Sequence, residues 1–379
     1  GTPRPEHPLH DAFSLYDQSF EDTDDTVIII DEIQESADIY NRIREFTRQF
    51  QCHFIVTGSY LGRVLEPEFR FSSGDVTSVT IYTLSFEEYL AAADSELFRM
   101  YLLIGNSVFE DKNDYEQLKQ LYNIYRQIGG YPAVVEKYLS SGSLEIATKE
   151  LRRIIETFLN ESMRYFTDIL DVSVFADIFL NICRILAREK KGLEQDSIGE
   201  ELQKLVVKDS TSNLSKATVV RAINWLYHSG IIGFCGKIVE LDILDFKPGR
   251  RCYFMDLGIA NFYMTQAGLD KASINGTLNE NYVYINLVKR LDFPQQIAFE
   301  TPAFATYKNG EIDFYVQSLK ERTRYVVEVK SGKQSGNTAK KALYDGKADY
   351  LLYLKGNTHG GVEGKTITRP IYALERFRF

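Results

Sequence analysis

Apolar and polar positions along the chain change period from segment to segment. Thr26 to Gln34 opens with the unbroken β-branched run Val27-Ile28-Ile29-Ile30 and closes with Asp31-Glu32-Ile33-Gln34. Such a run predicts a strand buried on both faces, as in a parallel sheet. Asp38 to Phe50 sets Tyr40, Ile43, Phe46 and Phe50 at helical spacing, which predicts an amphipathic helix. His53-Phe54-Ile55-Val56 predicts a second buried strand, ending in the small polar residues Thr57-Gly58-Ser59. Strand, helix and strand make a βαβ unit.

From Ser85 to about Ile169 apolar positions recur three and four apart, over Phe86–Leu103, Asp114–Ile128 and Leu144–Phe166. This predicts helix throughout. The ring stripes there (Tyr122, Tyr125; Phe158, Tyr165, Phe166) read as core rather than as a cofactor lining. Gly129-Gly130-Tyr131-Pro132 is a helix break, with proline near the start of a new helix. Further helices are expected at Val174–Ala187, Ser197–Val206 and Ser215–Tyr227, followed by a strand from Ile231 to Cys235. Helix, helix and a short strand pair give the order of a winged helix. Its recognition helix would offer Ser215, Lys216, Thr218 and Arg221 to DNA, few cations for a phosphate-driven binder. Packing, or docking of a protein partner, fits the same module.

Arg251 to Gly258 predicts a strand ending at a helix. A helix over Thr277–Leu291 puts Glu280, Val283, Tyr284, Leu287 and Val288 on one face. Strands at Gln296–Phe304, Glu311–Val316 and Tyr325–Val329, a helix at Thr338–Leu343 and a strand at Tyr350–Leu354 follow. This α-β-β-β-α-β order is the core order of restriction-endonuclease-like domains.

Composition narrows the class. At 379 residues, 44% hydrophobic and 26% charged, the chain has the material for several packed cores and is not a disordered or low-complexity polymer. No apolar run approaches the roughly 20 residues of a membrane helix, and Gly1 to Leu9 shows no apolar signal core. Cys52, Cys183, Cys235 and Cys252 are far apart and form no CxxC pair. That usage argues against a disulfide framework or a zinc ribbon and suits a reducing cytoplasm. The net charge of −9 argues against a uniformly basic nucleic-acid binder. Charge is uneven, however. Residues 1–40 hold eleven Asp/Glu and one Arg, whereas Lys320 to Arg369 has a local net of +6. A basic face at the C-terminal end is therefore compatible with the sequence.

Two places carry candidate chemistry. At the end of the first strand, four hydrophobics followed by Asp31-Glu32 form the Walker B pattern. There the Asp holds Mg²⁺ and the Glu polarises the water that attacks the γ-phosphate. A strand ending in a solvated acidic turn would look the same. In the C-terminal region, Glu328 and Lys330 are two apart in a strand and project to one face. Asp313, on the paired strand, can join them. Two carboxylates to hold Mg²⁺ or Mn²⁺ against a phosphodiester, with a Lys to orient water or stabilise developing charge, suit metal-assisted hydrolysis. The alternative is a decayed site in which the carboxylates pair with Lys330, Lys333 or Lys340.

The succession IIIDEIQ, FIVTGSYLGRVL, VTIYTLSFEEYL resembles a large prokaryotic family of AAA-type ATPases. Members carry a C-terminal domain of unknown function that is itself similar to PD-(D/E)XK nucleases. Leu84–Tyr89 matches the family's LSFEEF segment, Gly129–Val135 matches its GG-x-P-x-V-V element in the helical lid, and Arg251–Gly258 is similar to its linker strand. The resemblance implies that Asp31 places Mg²⁺ and Glu32 polarises water. It implies that Thr57 or Ser59 senses the γ-phosphate, and that Arg63 or Arg70 is a phosphate-sensing or finger arginine. Solvated or paired arginines are the plainer reading of the last two. Glu280 matches the extra acidic residue of the nuclease superfamily. The sequence departs from the family in one respect: no GxxxxGK[ST] loop precedes Thr26. That loop is expected either upstream of Gly1 or lost. His359-Gly360-Gly361-Val362-Glu363-Gly364-Lys365-Thr366 imitates it, but Pro370 stands where its helix should continue, so a hairpin loop is expected.

The expected architecture is thus α/β and multidomain. Residues 1–84 would hold the C-terminal part of a P-loop AAA-type core, 85–170 a helical lid, 171–250 a winged-helix-like module and 251–379 a nuclease-like domain. The expected function is an ATP-binding protein or ATPase acting as a nucleotide-driven switch. A Mg²⁺-dependent DNA endonuclease and a non-catalytic interaction scaffold are the alternatives.

Overall fold

The computed structural model describes residues 8–58, 68–69, 76–104, 112–166, 173–189, 198–209, 215–292, 295–331 and 336–379. The chain divides into two compact units, Gly1–Ser78 and Val79–Phe379. Among the described residues, no helix is long and apolar enough to cross a membrane.

The first unit holds α1 (Pro8–Tyr16), β1 (Val27–Ile30), α2 (Ala37–Gln49) and β2 (His53–Val56). β1 and β2 are parallel, Val27 facing His53 through to Ile30 facing Val56. Ser36 starts α2 by accepting a hydrogen bond from Ile39 N at 3.3 Å. Phe46, Phe50 and Phe54 pack together, with ring centroids 4.6 Å apart for Phe46–Phe54 and 5.3 Å for Phe50–Phe54, and Phe13 of α1 lies against Phe50. The expectation of strands buried on both faces is corrected. Val27, Ile29 and Ile55 are 52%, 66% and 51% exposed. A β-branched run records a preference for strand; it does not supply the layer that covers it. Among the described residues, aromatic side chains cover one face of a two-stranded sheet.

The second unit is built on an eight-stranded mixed sheet in the order β4-β3-β5-β6-β7-β8-β10-β9. Its strands are β3 (Ile232–Ile238), β4 (Phe246–Phe254), β5 (Ala303–Tyr307), β6 (Gly310–Gln317), β7 (Arg324–Lys330), β8 (Tyr350–Lys355), β9 (Gly361–Glu363) and β10 (Thr366–Pro370). β7, β8 and β10 run parallel. The crossover from β7 to β8 is α13 (Asn337–Tyr344), whose Ala339 and Ala342 enter a core with Ala305, Ile312, Val326 and Leu351. The stretch expected as a strand from Gln296 to Phe304 forms β5 only from Ala303. Pro302 has no N–H to give a ladder, and its carbonyl accepts Gly236 N at 2.9 Å. Gly361–Pro370 is the expected hairpin, closed by Gly364 at φ 57°.

Residues expected to separate into a strand pair and a following domain share this one sheet. β4 runs through the boundary set at 250, and β3 pairs with both β4 and β5. The preceding helices are α3 (Phe86–Ala93), α4 (Ser95–Leu102), α5 (Lys112–Ile128), α6 (Pro132–Ser141), α7 (Leu144–Tyr165), α8 (Ser173–Glu189), α9 (Ile198–Asp209) and α10 (Lys216–His228). The single helix expected over Phe86–Leu103 is two, α3 and α4. Asp94 ends α3 and caps α4, accepting from Glu96 N at 3.1 Å and Leu97 N at 2.9 Å. α11 (Leu257–Gln266) and α12 (Lys271–Lys289) lie between β4 and β5 in sequence, and α12 packs against β4 and β7.

Two carboxylates, one buried and one half-buried, tie helices to sheet. Asp256, at the end of β4, is 2% exposed. It caps α11 by accepting from Gly258 N (2.8 Å) and Ile259 N (3.1 Å), and it also accepts from Gly130 N (2.8 Å). Gly130 O accepts in turn from Leu84 N at 2.8 Å. The glycines fit because nothing larger does. A Cβ on Gly130 would meet Leu84 O at 2.1 Å, and one on Gly129, at φ 76°, would meet Asp256 Oδ1 at 2.3 Å. Glu375 accepts from Phe86 N (3.0 Å) and Glu87 N (2.7 Å) at the start of α3, where Ser85 and Glu88 complete a capping box. Burial raises the pKa of both Asp256 and Glu375, against the hydrogen bonds that favour their charged forms.

Gly130→Ala should therefore cost more than about 2 kcal/mol of stability, an overpacking loss with a broken backbone contact. Gly142, at φ 65° with open space around its Cα, should lose only about 1 kcal/mol on the same change. Urea denaturation of the two variants checks this; equal losses would deny the tight seat of Gly130.

Candidate functional site

The first constellation lies at the C-terminal ends of β1 and β2, where ligands of parallel sheets bind. Thr57 Oγ1 donates to Asp31 Oδ1, which also accepts Glu32 N at 2.9 Å. These bonds, the Thr57 hydroxyl first, lower the Asp31 pKa and keep it ionised. The strand end is closed by Ile33 N donating to Thr57 O at 2.9 Å. Glu32 sits in the left-handed region at φ 52°, uncommon for a residue with a Cβ. Its Oε2 accepts from Gln34 Nε2, and Gln34 is 1% exposed. The structure thus brings Asp31, Glu32 and Thr57 together. Gln34 is an addition that the sequence reading passed over, because nothing in IIIDEIQ marks a glutamine as inward-facing. Ser59, Arg63 and Arg70 lie outside the described residues.

The second constellation lies on β6 and β7. Lys330 Nζ is 3.1 Å from Asp313 Oδ2 and 2.6 Å from Glu328 Oε2. The β6–β7 ladder reaches only to Phe314 opposite Val327. Beyond it, Asp313 Oδ2 replaces a backbone acceptor and takes Val329 N at 2.7 Å. The side chain of Glu328 is 3% exposed, and its Oε1 has no hydrogen-bond partner. Gly336 closes over it: a Cβ there would come within 2.3 Å of the Glu328 carboxyl carbon. Burial, then the Asp313 charge, pushes the Glu328 pKa up to about 7, with Lys330 opposing and Glu280 of α12 adding to the rise. Burial disfavours the Lys330 charge, but Asp313 and Glu328 outweigh it and hold its pKa well above the ordinary lysine value.

Asp313, Glu328 and Lys330 therefore converge, with the ammonium bridging the carboxylates as in the decayed-site alternative. Among the described residues, no three His, Cys, Asp or Glu side chains group as a metal-ligand set. Two carboxylates, one with an orphaned buried oxygen, still suit Mg²⁺ or Mn²⁺, which commonly keep several waters and take one or two carboxylates.

Of the α10 residues proposed for DNA contact, Ser215, Lys216 and Arg221 are exposed and Thr218 is buried. Ser215 caps the helix by accepting Thr218 N at 3.1 Å, Thr218 is 8% exposed, and Arg221 lies 5.3 Å from the Phe166 ring centre. Burial takes Thr218 from any surface role. Lys216 is exposed.

A family model described as an AAA domain matches residues 4–90. A second, for a domain of unknown function (DUF8612), matches residues 119–272. Residues 273–379, with Asp313, Glu328 and Lys330, lie beyond both matches. No curated protein matches the chain. An AAA-type domain at the N-terminal end and a domain of unknown function after it are thus both supported.

The Glu328 carboxyl gives a pH signature. Its folded pKa lies above its ordinary value of 4.5 and near 7, so the folded chain binds more protons than the unfolded chain between these values. Its contribution is complete below pH 4.5 and is lost as pH rises through 7. The loss amounts to about 3 kcal/mol at most. Glu328→Gln should remove that part of the slope when unfolding free energies are compared from pH 4 to pH 8; identical slopes would mean that Glu328 is ionised throughout.

Proposed function

We propose that the chain is the Mg²⁺- and water-handling part of an AAA-type ATPase, a nucleotide-driven switch joined to a nuclease-like sheet. The observation that carries this reading is the Thr57 hydroxyl on the Asp31 carboxylate at the tips of two adjacent parallel strands. An AAA-domain match over the same residues agrees with it. Asp31 would hold Mg²⁺, whose charge offsets that of the phosphates. Glu32, oriented by Gln34, accepts a proton from the attacking water, and Thr57 reports the γ-phosphate to Asp31. The phosphate-cradling GxxxxGK[ST] loop required by this reading is not among the 379 residues. The order α8–α10 then β3–β4 supports a winged-helix-like packing or docking module. Four buried cysteines, far apart in sequence, suit a reducing compartment such as the cytoplasm.

A second reading, metal-dependent cleavage of a DNA phosphodiester, is favoured by the orphaned Glu328 Oε1 beside Asp313 and Lys330. The two carboxylates would hold Mg²⁺ or Mn²⁺, which would polarise the phosphodiester, while Lys330 moves to orient water or meet developing negative charge. If neither chemistry operates, the non-catalytic scaffold is what remains.

The 379-residue chain alone should bind MgATP weakly, since the loop amides and lysine are the main partners of the β- and γ-phosphates. With a GxxxxGK[ST] loop supplied ahead of it, Glu32→Gln should keep ATP binding and lower turnover by about 10²-fold or more. Unchanged turnover in that variant would take Glu32 out of the reaction. For the second reading, Mn²⁺ should raise the melting temperature of the parent and not of Asp313→Asn. Equal shifts in both proteins would remove the carboxylate pair as the metal site.

A further inference from the structure

A polar cleft of about 120 Å³ opens in the second unit where α5 meets α12 and the ends of β7 and β8. That is well above the roughly 10–15 Å³ one water needs. Lys119, Asn123 and Arg126 line it from α5, Asn275 and Asn279 from α12, and Ser331 from the residue after β7. No carboxylate is among its lining residues.

Arg126 is the centre of the arrangement. Its Nη2 donates to Asn123 Oδ1 at 2.7 Å and to Asn275 Oδ1 at 3.3 Å; its Nη1 donates to Asn279 Oδ1 at 2.9 Å and to Asn275 O at 3.4 Å. All four acceptors are neutral amide oxygens. Its Nε–H is buried with no acceptor. Carboxylates are the usual partners of a half-buried guanidinium, and none is bonded to it among the described residues. Lys119 at the mouth donates to Asn357 Oδ1 at 3.3 Å and has only a long pairing, 3.7 Å, with the exposed Glu116. The cleft therefore holds net positive charge with amide and hydroxyl groups around it. It also adjoins the second constellation: Ser331 follows Lys330, Asn279 precedes Glu280, and Gly356 N donates to Lys330 O at 3.1 Å.

We propose that this cleft binds a phosphate group, with Arg126 and Lys119 as its cationic partners. Its place beside Lys330 fits a backbone phosphate of a single-stranded oligonucleotide whose neighbouring phosphate lies toward Asp313 and Glu328. A free phosphate or mononucleotide presents the same chemistry. The assignment goes beyond both functional readings and needs neither ATP turnover nor cleavage, so it is tested by binding alone.

The test uses inorganic phosphate, read by thermal shift at constant ionic strength, and a short fluorescein-labelled oligothymidylate, read by anisotropy. Both are applied to the parent and to Asn123→Asp and Lys119→Gln. Asn123→Asp leaves Arg126 seated but gives its Nη2 a carboxylate partner, so the fold survives while one of the cleft's two positive charges is neutralised. The parent should bind both probes, Asn123→Asp about tenfold or more weakly, the loss of one charge-assisted contact, and Lys119→Gln more weakly than the parent. Phosphate binding without oligonucleotide binding supports the cleft and identifies free phosphate or a mononucleotide as the source. Binding of neither probe, or equal binding by parent and Asn123→Asp, overturns the proposal.

Discussion

The Asp256 carboxylate lies in the interior with backbone N–H groups of Gly130, Gly258 and Ile259 as partners. A buried charge is tolerable only when its hydrogen bonds are complete, so the end of β4, the start of α11 and the break between α5 and α6 are fixed together. Glu375 does the same for the start of α3, and Arg290 holds the segment after β10 by donating to Leu374 O at 2.6 Å and Phe377 O at 2.7 Å. The helices before the sheet are thereby set against it. Lys119, Tyr122 and Arg126 reach the ends of β7 and β8 because α5 is anchored at Gly129-Gly130.

The two carboxylate constellations use opposite physics. Asp31 is in solvent, kept ionised by a hydroxyl and an amide, as suits a group that meets a cation in a cleft. Glu328 is buried, raised toward neutrality and paired with Lys330. Without a metal, Lys330 supplies the positive charge that the paired carboxylates require. Whatever acts at Glu328 must first displace that ammonium from Oε2, or use the free Oε1.

Much of the fold was legible in the sequence. The βαβ of the first unit, the α-β-β-β-α-β order and the final hairpin follow from period, glycine and proline positions, because those signals are local. The strand pair read as a separate wing was not legible as part of the larger sheet. Joining β3 to β5 depends on contacts between residues more than sixty apart, which no local pattern encodes. That Asp31, Glu32 and Thr57 lie close together, and likewise Asp313, Glu328 and Lys330, was legible because strand position and the period of two are local signals. Gln34, Asp256 and the Arg126 cleft were missed. A buried polar residue has the same letter as an exposed one, and the cleft draws on three elements.

The Asp256 carboxylate makes helices and sheet one cooperative frame. Hydrogen–deuterium exchange of Asp256→Ala against the parent tests it most directly. Amides of α3, α5, α6 and α11 should lose protection together, while β7 and β8 stay protected. Loss confined to Gly258 and Ile259, with α5 and α6 unchanged, would show that Asp256 is only a local helix cap and would contradict the account.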